Sequence, residues 1–171
     1  VPRSRVIADE VVHAARPWFI AASLIITWLL SLLPWRAQPY APDALCLVIA
    51  FWAMHERARV GLLAAFVFGV LMDVHDASLL GRHALTYTLV AYAAARLYRR
   101  LRHFGLGAQA LHMLPVFVAV HLLGTLIAAW VAGAWPGWDW LVATLITAAL
   151  WMPVGAVLQL PQRHDDPVDA V

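Results

Sequence analysis

The stretch Gly69–Leu85, GVLMDVHDASLLGRHAL, follows an apolar run and gathers Asp73, His75, Asp76, Arg82 and His83 into a few turns of chain. Three readings compete for it: a catalytic or metal site, an elbow between two membrane helices, or a docking surface. The choice depends on where the stretch sits, and composition decides that first. The chain has 171 residues, of which 63% are hydrophobic and 13% charged. The charged share is about half that of an ordinary globular domain. A soluble domain of this size cannot hide so much apolar surface, and the apolar residues come in long runs rather than alternating. An integral membrane protein built of helices is predicted.

All twelve basic residues are Arg, and most of them flank apolar runs. That pattern suits a membrane surface and argues against nucleic acid as a partner. Cys46 is the single cysteine and lies within an apolar run. It excludes an intrachain disulfide and a thiolate metal cluster, and reads as an inert buried thiol. The run Trp18–Pro34 lacks a small-residue cleavage site, so it is expected to be a retained span.

Outward from the quoted stretch, six apolar runs are read as six transmembrane helices. They cover Pro17–Trp35, Asp43–Met54, Val60–Met72, Leu79–Arg102, Ala108–Ala134 and Leu141–Leu160. The second and third are short, about 13 residues or ~20 Å of helix against a hydrocarbon core of ~30 Å. A re-entrant hairpin would place His55, Glu56, Arg57 and Arg59 near mid-bilayer, at ~2.5 kcal/mol or more for each charge. Two spans lengthened by polar turns, with local thinning of the bilayer, are preferred. The expected organisation is a cytoplasmic arm over residues 1–16, a six-helix membrane domain over 17–160 and a polar, disordered cytoplasmic tail over 161–171.

Arginine sets the orientation. With the N-terminus in the cytoplasm, Arg3, Arg5, Arg16, Arg57, Arg59, Arg96, Arg99, Arg100, Arg102 and Arg163 are inside, and only Arg36 and Arg82 are outside. That is a positive-inside pattern. The quoted stretch then lies at the outer face, as does the aromatic turn WPGWDW, Trp135–Trp140.

Gly61, Ala65, Gly69 and Asp73 recur every four residues and share one helix stripe. Three small residues let another helix approach closely; whether that helix belongs to this chain or to a partner stays open. Asp73 ends the stripe: it terminates the helix near water, caps the turn after it through backbone N–H groups, makes a polar contact with Arg82 or a partner, or serves as a catalytic acid or base. His75, Asp76 and His83 match no compact metal spacing. Asp76, Ser78 and Gly81 fit a turn instead, with Gly81 supplying positive φ. Arg96, Arg99 and Arg100, with Arg102 beyond them, form a basic helix end suited to the macrodipole and to anionic headgroups. His121 and Thr125 share a face of the fifth run, where a neutral His can bond to a neighbouring helix. No ionisable partner for His121 is visible within the runs, and no catalytic triad, phosphate loop, metal site or cofactor site is predicted.

The order of these features resembles the bacterial rod shape-determining MreD family. That family's pattern has Pro-Asp opening the second span and an aromatic residue near its end. Glycine, "AF…G-L-x-D", "LG-x-x-A-L" and a basic helix end follow. The matching residues are Pro42 and Asp43, Trp52, Gly61, Ala65 and Phe66, Gly69, Leu71 and Asp73, Leu80 and Gly81, Ala84 and Leu85, then Arg96 to Arg102. The LLPW of Leu32–Trp35 also fits. The likeness covers Trp18 to Arg102 by motif and the remainder by hydropathy and length. Val70 stands where leucine is commoner, and the tail carries no family motif.

The resemblance implies a six-helix fold similar to the substrate-binding subunits of energy-coupling-factor vitamin transporters. It implies a non-enzymatic inner-membrane protein that binds MreC, a bitopic protein with a periplasmic domain. It also implies membership of the elongation machinery of MreB filaments, the glycosyltransferase RodA and its transpeptidase partner, with membrane lipids around it. The role implied is scaffolding or regulation of lateral cell-wall synthesis. Two rivals are carried: a small-molecule-binding subunit of the vitamin-transporter type, and a lipid-modifying enzyme using Asp73, His75 and His83.

Overall fold

A computed structural model describes residues 16–56, 59–77, 79–101 and 103–160, with only the backbone of 36 and 37. The expectations for residues 1–15, Arg57, Ser78, Arg102, the tail 161–171 and the Arg36 side chain lie outside the described residues. Among the described residues the chain is all helical. It runs α1 (Pro17–Ser31), a short 3-10 turn (Pro34–Ala37), α2 (Ala44–His55), α3 (Leu62–His75), α4 (Arg82–Leu101), α5 (Leu106–Ala132), α6 (Asp139–Ala149) and α7 (Trp151–Gln159).

The last two helices form one bent unit. Pro153 has no N–H for the carbonyl of Ala149 and its ring crowds that carbonyl, so the helix breaks one turn earlier, at Leu150. The single run expected over Leu141–Leu160 is therefore two segments. Two stretches, Leu106–Ala132 and Asp139–Gln159, are long and apolar enough to cross a membrane. Pro17–Ser31, Ala44–His55 and Leu62–His75 are shorter apolar helices.

The short second run has a physical explanation that its sequence only half shows. Every residue of α2 from Leu45 to Met54 is buried. A helix that is apolar on all sides belongs inside a bundle. Helices α1, α4, α6 and α7 pack around it, so its 12 residues are matched to protein neighbours rather than to lipid thickness. Trp52 donates its indole N–H to Ser23 Oγ on α1 at 2.9 Å. Phe51 meets Trp151 of α7, and Trp151 meets Phe117 of α5, with ring centroids 5.9 and 6.1 Å apart. Aromatic side chains thus fill the middle of the bundle.

The outward faces are the reverse. Leu63, Phe66, Val67 and Val74 on α3 and Leu111, Leu126 and Trp130 on α5 are exposed. Leu63 is 76% and Trp130 86% accessible, and so many large exposed apolar side chains suit a lipid environment. Short connections place the end of α2 beside the start of α3, and the end of α4 beside the start of α5. Arg59, Arg96, Arg99 and Arg100 therefore collect at one end of the bundle. The elbow between α3 and α4 lies at the other.

Candidate functional site

At the elbow, α3 and α4 touch backbone to backbone. A Cβ placed on Gly69 would lie 2.4 Å from the Ala84 Cα and 2.6 Å from its N. No side chain fits there. Ala65 and Asp73, one turn to either side of Gly69, are buried in the same seam.

Asp73 then works across the gap. Its Oδ2 accepts from the backbone N–H groups of Gly81 at 2.9 Å and Ala84 at 3.2 Å. Its Oδ1 accepts from the His83 backbone N–H at 2.8 Å and the His83 ring Nδ1–H at 2.9 Å. The first amides of a helix have no intrahelical partner. Here a carboxylate from the end of the preceding helix takes three of them, whereas a conventional cap comes from the residue just before the helix. Gly81 makes the geometry possible, because its φ of 101° is open to glycine and strained for other residues.

Arg82 takes no part in this set. Its side chain runs toward α5, with Cγ and Nε 3.7 and 3.9 Å from where a Gly124 Cβ would be. Thr86 Oγ1 lies closer still, at 3.1 Å from that position, so Gly124 admits α4 against α5. Gly61 stands apart from the seam. It is the N-cap of α3, and open space surrounds the position of its Cβ. Arg96, Arg99 and Arg100 occupy the exposed end of α4. Of the three residues weighed for catalysis, Asp73 and His83 meet while His75 is exposed.

A second polar centre adjoins the first and was not anticipated as one. Asp43 caps α2 through Oδ1, which accepts from the Cys46 N–H at 3.0 Å. The same oxygen accepts from the Tyr87 hydroxyl of α4 at 3.0 Å. The Asp43 backbone N–H donates to Thr147 Oγ1 of α6 at 2.9 Å. Asp43 Oδ2 lies 4.0 Å from His121 Nε2 of α5, and His121 donates its Nδ1–H to the Phe117 carbonyl at 2.9 Å. His121 thus does have an ionisable neighbour, at the first position of the second apolar run, where Asp43 caps α2; the expectation of none within the runs is corrected. The His83 and Tyr87 rings meet edge-on at 5.7 Å, so the two centres adjoin through packing of these side chains. Asp43, Cys46 and His121 bring one ligand atom each within 4.8 Å of one another, and the Asp43 Oδ2 and His121 Nε2 atoms face each other there. The Pro42-Asp43 pair ahead of an apolar run was the available signal for a cap; its three tertiary partners had none.

In chemistry, both centres do the same thing. Carboxylates accept from backbone amides, a phenol and one imidazole, and so tie helix ends to one another. Such a pair of caps, with the Asp43 amide on Thr147, fixes the relative position of α2, α3, α4 and α6 at one end of the bundle.

Comparison with known proteins places this arrangement in a family. The profile described as rod shape-determining protein MreD matches residues 13–160. The chain belongs to the MreD family. Rod shape-determining protein MreD of Haemophilus influenzae (strain ATCC 51907 / DSM 11121 / KW20 / Rd) is 28% identical over 137 residues, covering 78% of this chain and 85% of that protein. No solved structure matches. MreD-family membership makes this a bacterial membrane protein with a rod-shape-determining role. The match extends well past Arg102, through α5, α6 and α7, where hydropathy alone had suggested continuity.

Proposed function

We propose that this MreD-family chain is a non-enzymatic inner-membrane scaffold for lateral cell-wall synthesis, with both termini cytoplasmic and the basic end of the bundle inside. Its partner is MreC, whose single span packs against an outward apolar face. RodA, its transpeptidase partner and MreB are reached through the complex. The six helical units are read as six spans, with α2 enclosed by the others, in an arrangement similar to vitamin-transporter substrate-binding subunits.

One observation carries the reading. Polar groups at the outer end are consumed in tying helices together, while the apolar side chains of α1, α3 and α5 face outward. Asp73 accepts four hydrogen bonds, which leaves it badly placed as a general base. Phe51, Trp52, Phe117 and Trp151 fill the centre, which speaks for a scaffold over a small-molecule carrier. Copurification in mild detergent tests the proposal. MreC is expected to accompany the full chain, and its recovery should fall when bulky or polar residues replace one outward face, such as Leu63 with Val74 on α3 or Leu126 with Trp130 on α5. If MreC never accompanies the chain, the scaffold reading fails.

A further inference from the structure

The basic end of the bundle carries a groove of about 500 Å³ between the start of α3 and the end of α4, lined by Val60, Gly61, Leu62, Ala91, Tyr92, Ala95 and Arg96. We propose that it is a binding site for one anionic phospholipid. Three independent features converge on an anion at the mouth and a hydrocarbon chain in the cleft.

The first is shape. Gly61, Ala91 and Ala95 contribute almost no side-chain volume, so the two helices leave a cleft rather than close on each other. Val60, Leu62 and the Tyr92 ring give it apolar walls suited to acyl methylenes. The second is a cation. Arg96 places its guanidinium carbon 5.7 Å from the centre of the Tyr92 ring. A ring attracts a cation through its quadrupole and accepts no N–H···O bond there, so the guanidinium edge can serve a phosphodiester, which it matches in geometry. The third is the start of α3. Its N-cap is Gly61, which brings no side chain to cap the first amides, and the positive end of the helix dipole points at the same mouth.

Opposing charges are present and do not reverse the sign. Glu56 lies 3.8 Å from Arg59 and is offset by it. The negative end of α4 is covered by Arg99 and Arg100 in its last turn. A phospholipid suits the site better than free phosphate, because the apolar walls would otherwise stay open to water.

Native mass spectrometry of the full chain, released from detergent after incubation with phosphatidylglycerol or phosphatidylcholine, tests this. One phosphatidylglycerol is expected to stay bound and phosphatidylcholine to leave. Gly61→Leu fills the cleft where open space surrounds the glycine Cβ, and Arg96→Gln removes the cation. Each should weaken phosphatidylglycerol retention about fivefold or more. Arg100→Gln, on the same end but outside the cleft, should change it by less than about twofold. Equal retention of both lipids, equal loss in all three variants, or displacement by inorganic phosphate alone would overturn the proposal. If Gly61→Leu does not elute as folded protein, Arg96→Gln against Arg100→Gln decides alone. MreC capture by the same variants keeps the two readings apart, since lipid loss with normal capture leaves the scaffold intact.

Discussion

Asp43 and Asp73 each sit beside the N-terminus of a helix, but they reach it differently. Asp43 caps its own helix and gathers other helices around that cap, with Tyr87 on the same oxygen, Thr147 on its amide and His121 at 4.0 Å. Asp73 lies in the last turn of one helix and caps the next. It succeeds only because Gly69 lets the two backbones meet and Gly81 turns the chain back. A local cap tolerates change around it, whereas a cap across a seam depends on every element of the seam.

The sharpest way to break the seam is Gly69→Leu. The added side chain meets backbone that cannot move aside, so a loss of about 3 kcal/mol or more is expected. Thermal unfolding in detergent, followed by tryptophan fluorescence, should show little folded protein. Asp73→Ala comes next. It leaves the amides of Gly81, His83 and Ala84 without their acceptor, at about 1–3 kcal/mol, and the same melting curve reads it. Asp43→Asn should cost less, about 1 kcal/mol or under, since asparagine caps well and its oxygen can still accept from Cys46 and Tyr87. Tyr87→Phe removes one hydrogen bond and should fall near 1 kcal/mol; a loss equal to that of Asp73→Ala would erase the contrast between the two aspartates. Gly61→Ala marks the lower limit, within about 0.5 kcal/mol, because the Cβ enters open space.

The same contrast explains what could be read in the sequence. Helix positions followed from apolar runs and their polar interruptions, and the observed ends fall within a few residues of those expected. The stripe Ala65–Gly69–Asp73 was visible as a spacing. That α4 of this chain covers it was not, since spacing specifies a face and not what lies on it. Gly61 shares the spacing but falls at the N-cap, where the backbone departs from the helix. The kink at Leu150 was legible in principle from Pro153, but an unbroken apolar run conceals it. Of the alternatives for Asp73, a cap for the turn after it or a contact with Arg82 or a partner, the structure shows the cap, and Arg82 turns to α5. His121 looked isolated because its partner is contributed by another helix's cap, 78 positions away in sequence.

Whether Asp73 is a helix tie or a reacting group is the point on which this account turns. Membrane abundance and cell width, measured together across Asp73→Asn, Asp73→Ala and Asp73→Glu in cells relying on this chain, address it directly. Width is expected to follow abundance, so that any variant present at the normal level supports normal rods. A folded, fully abundant Asp73→Asn protein in rounded cells would contradict it.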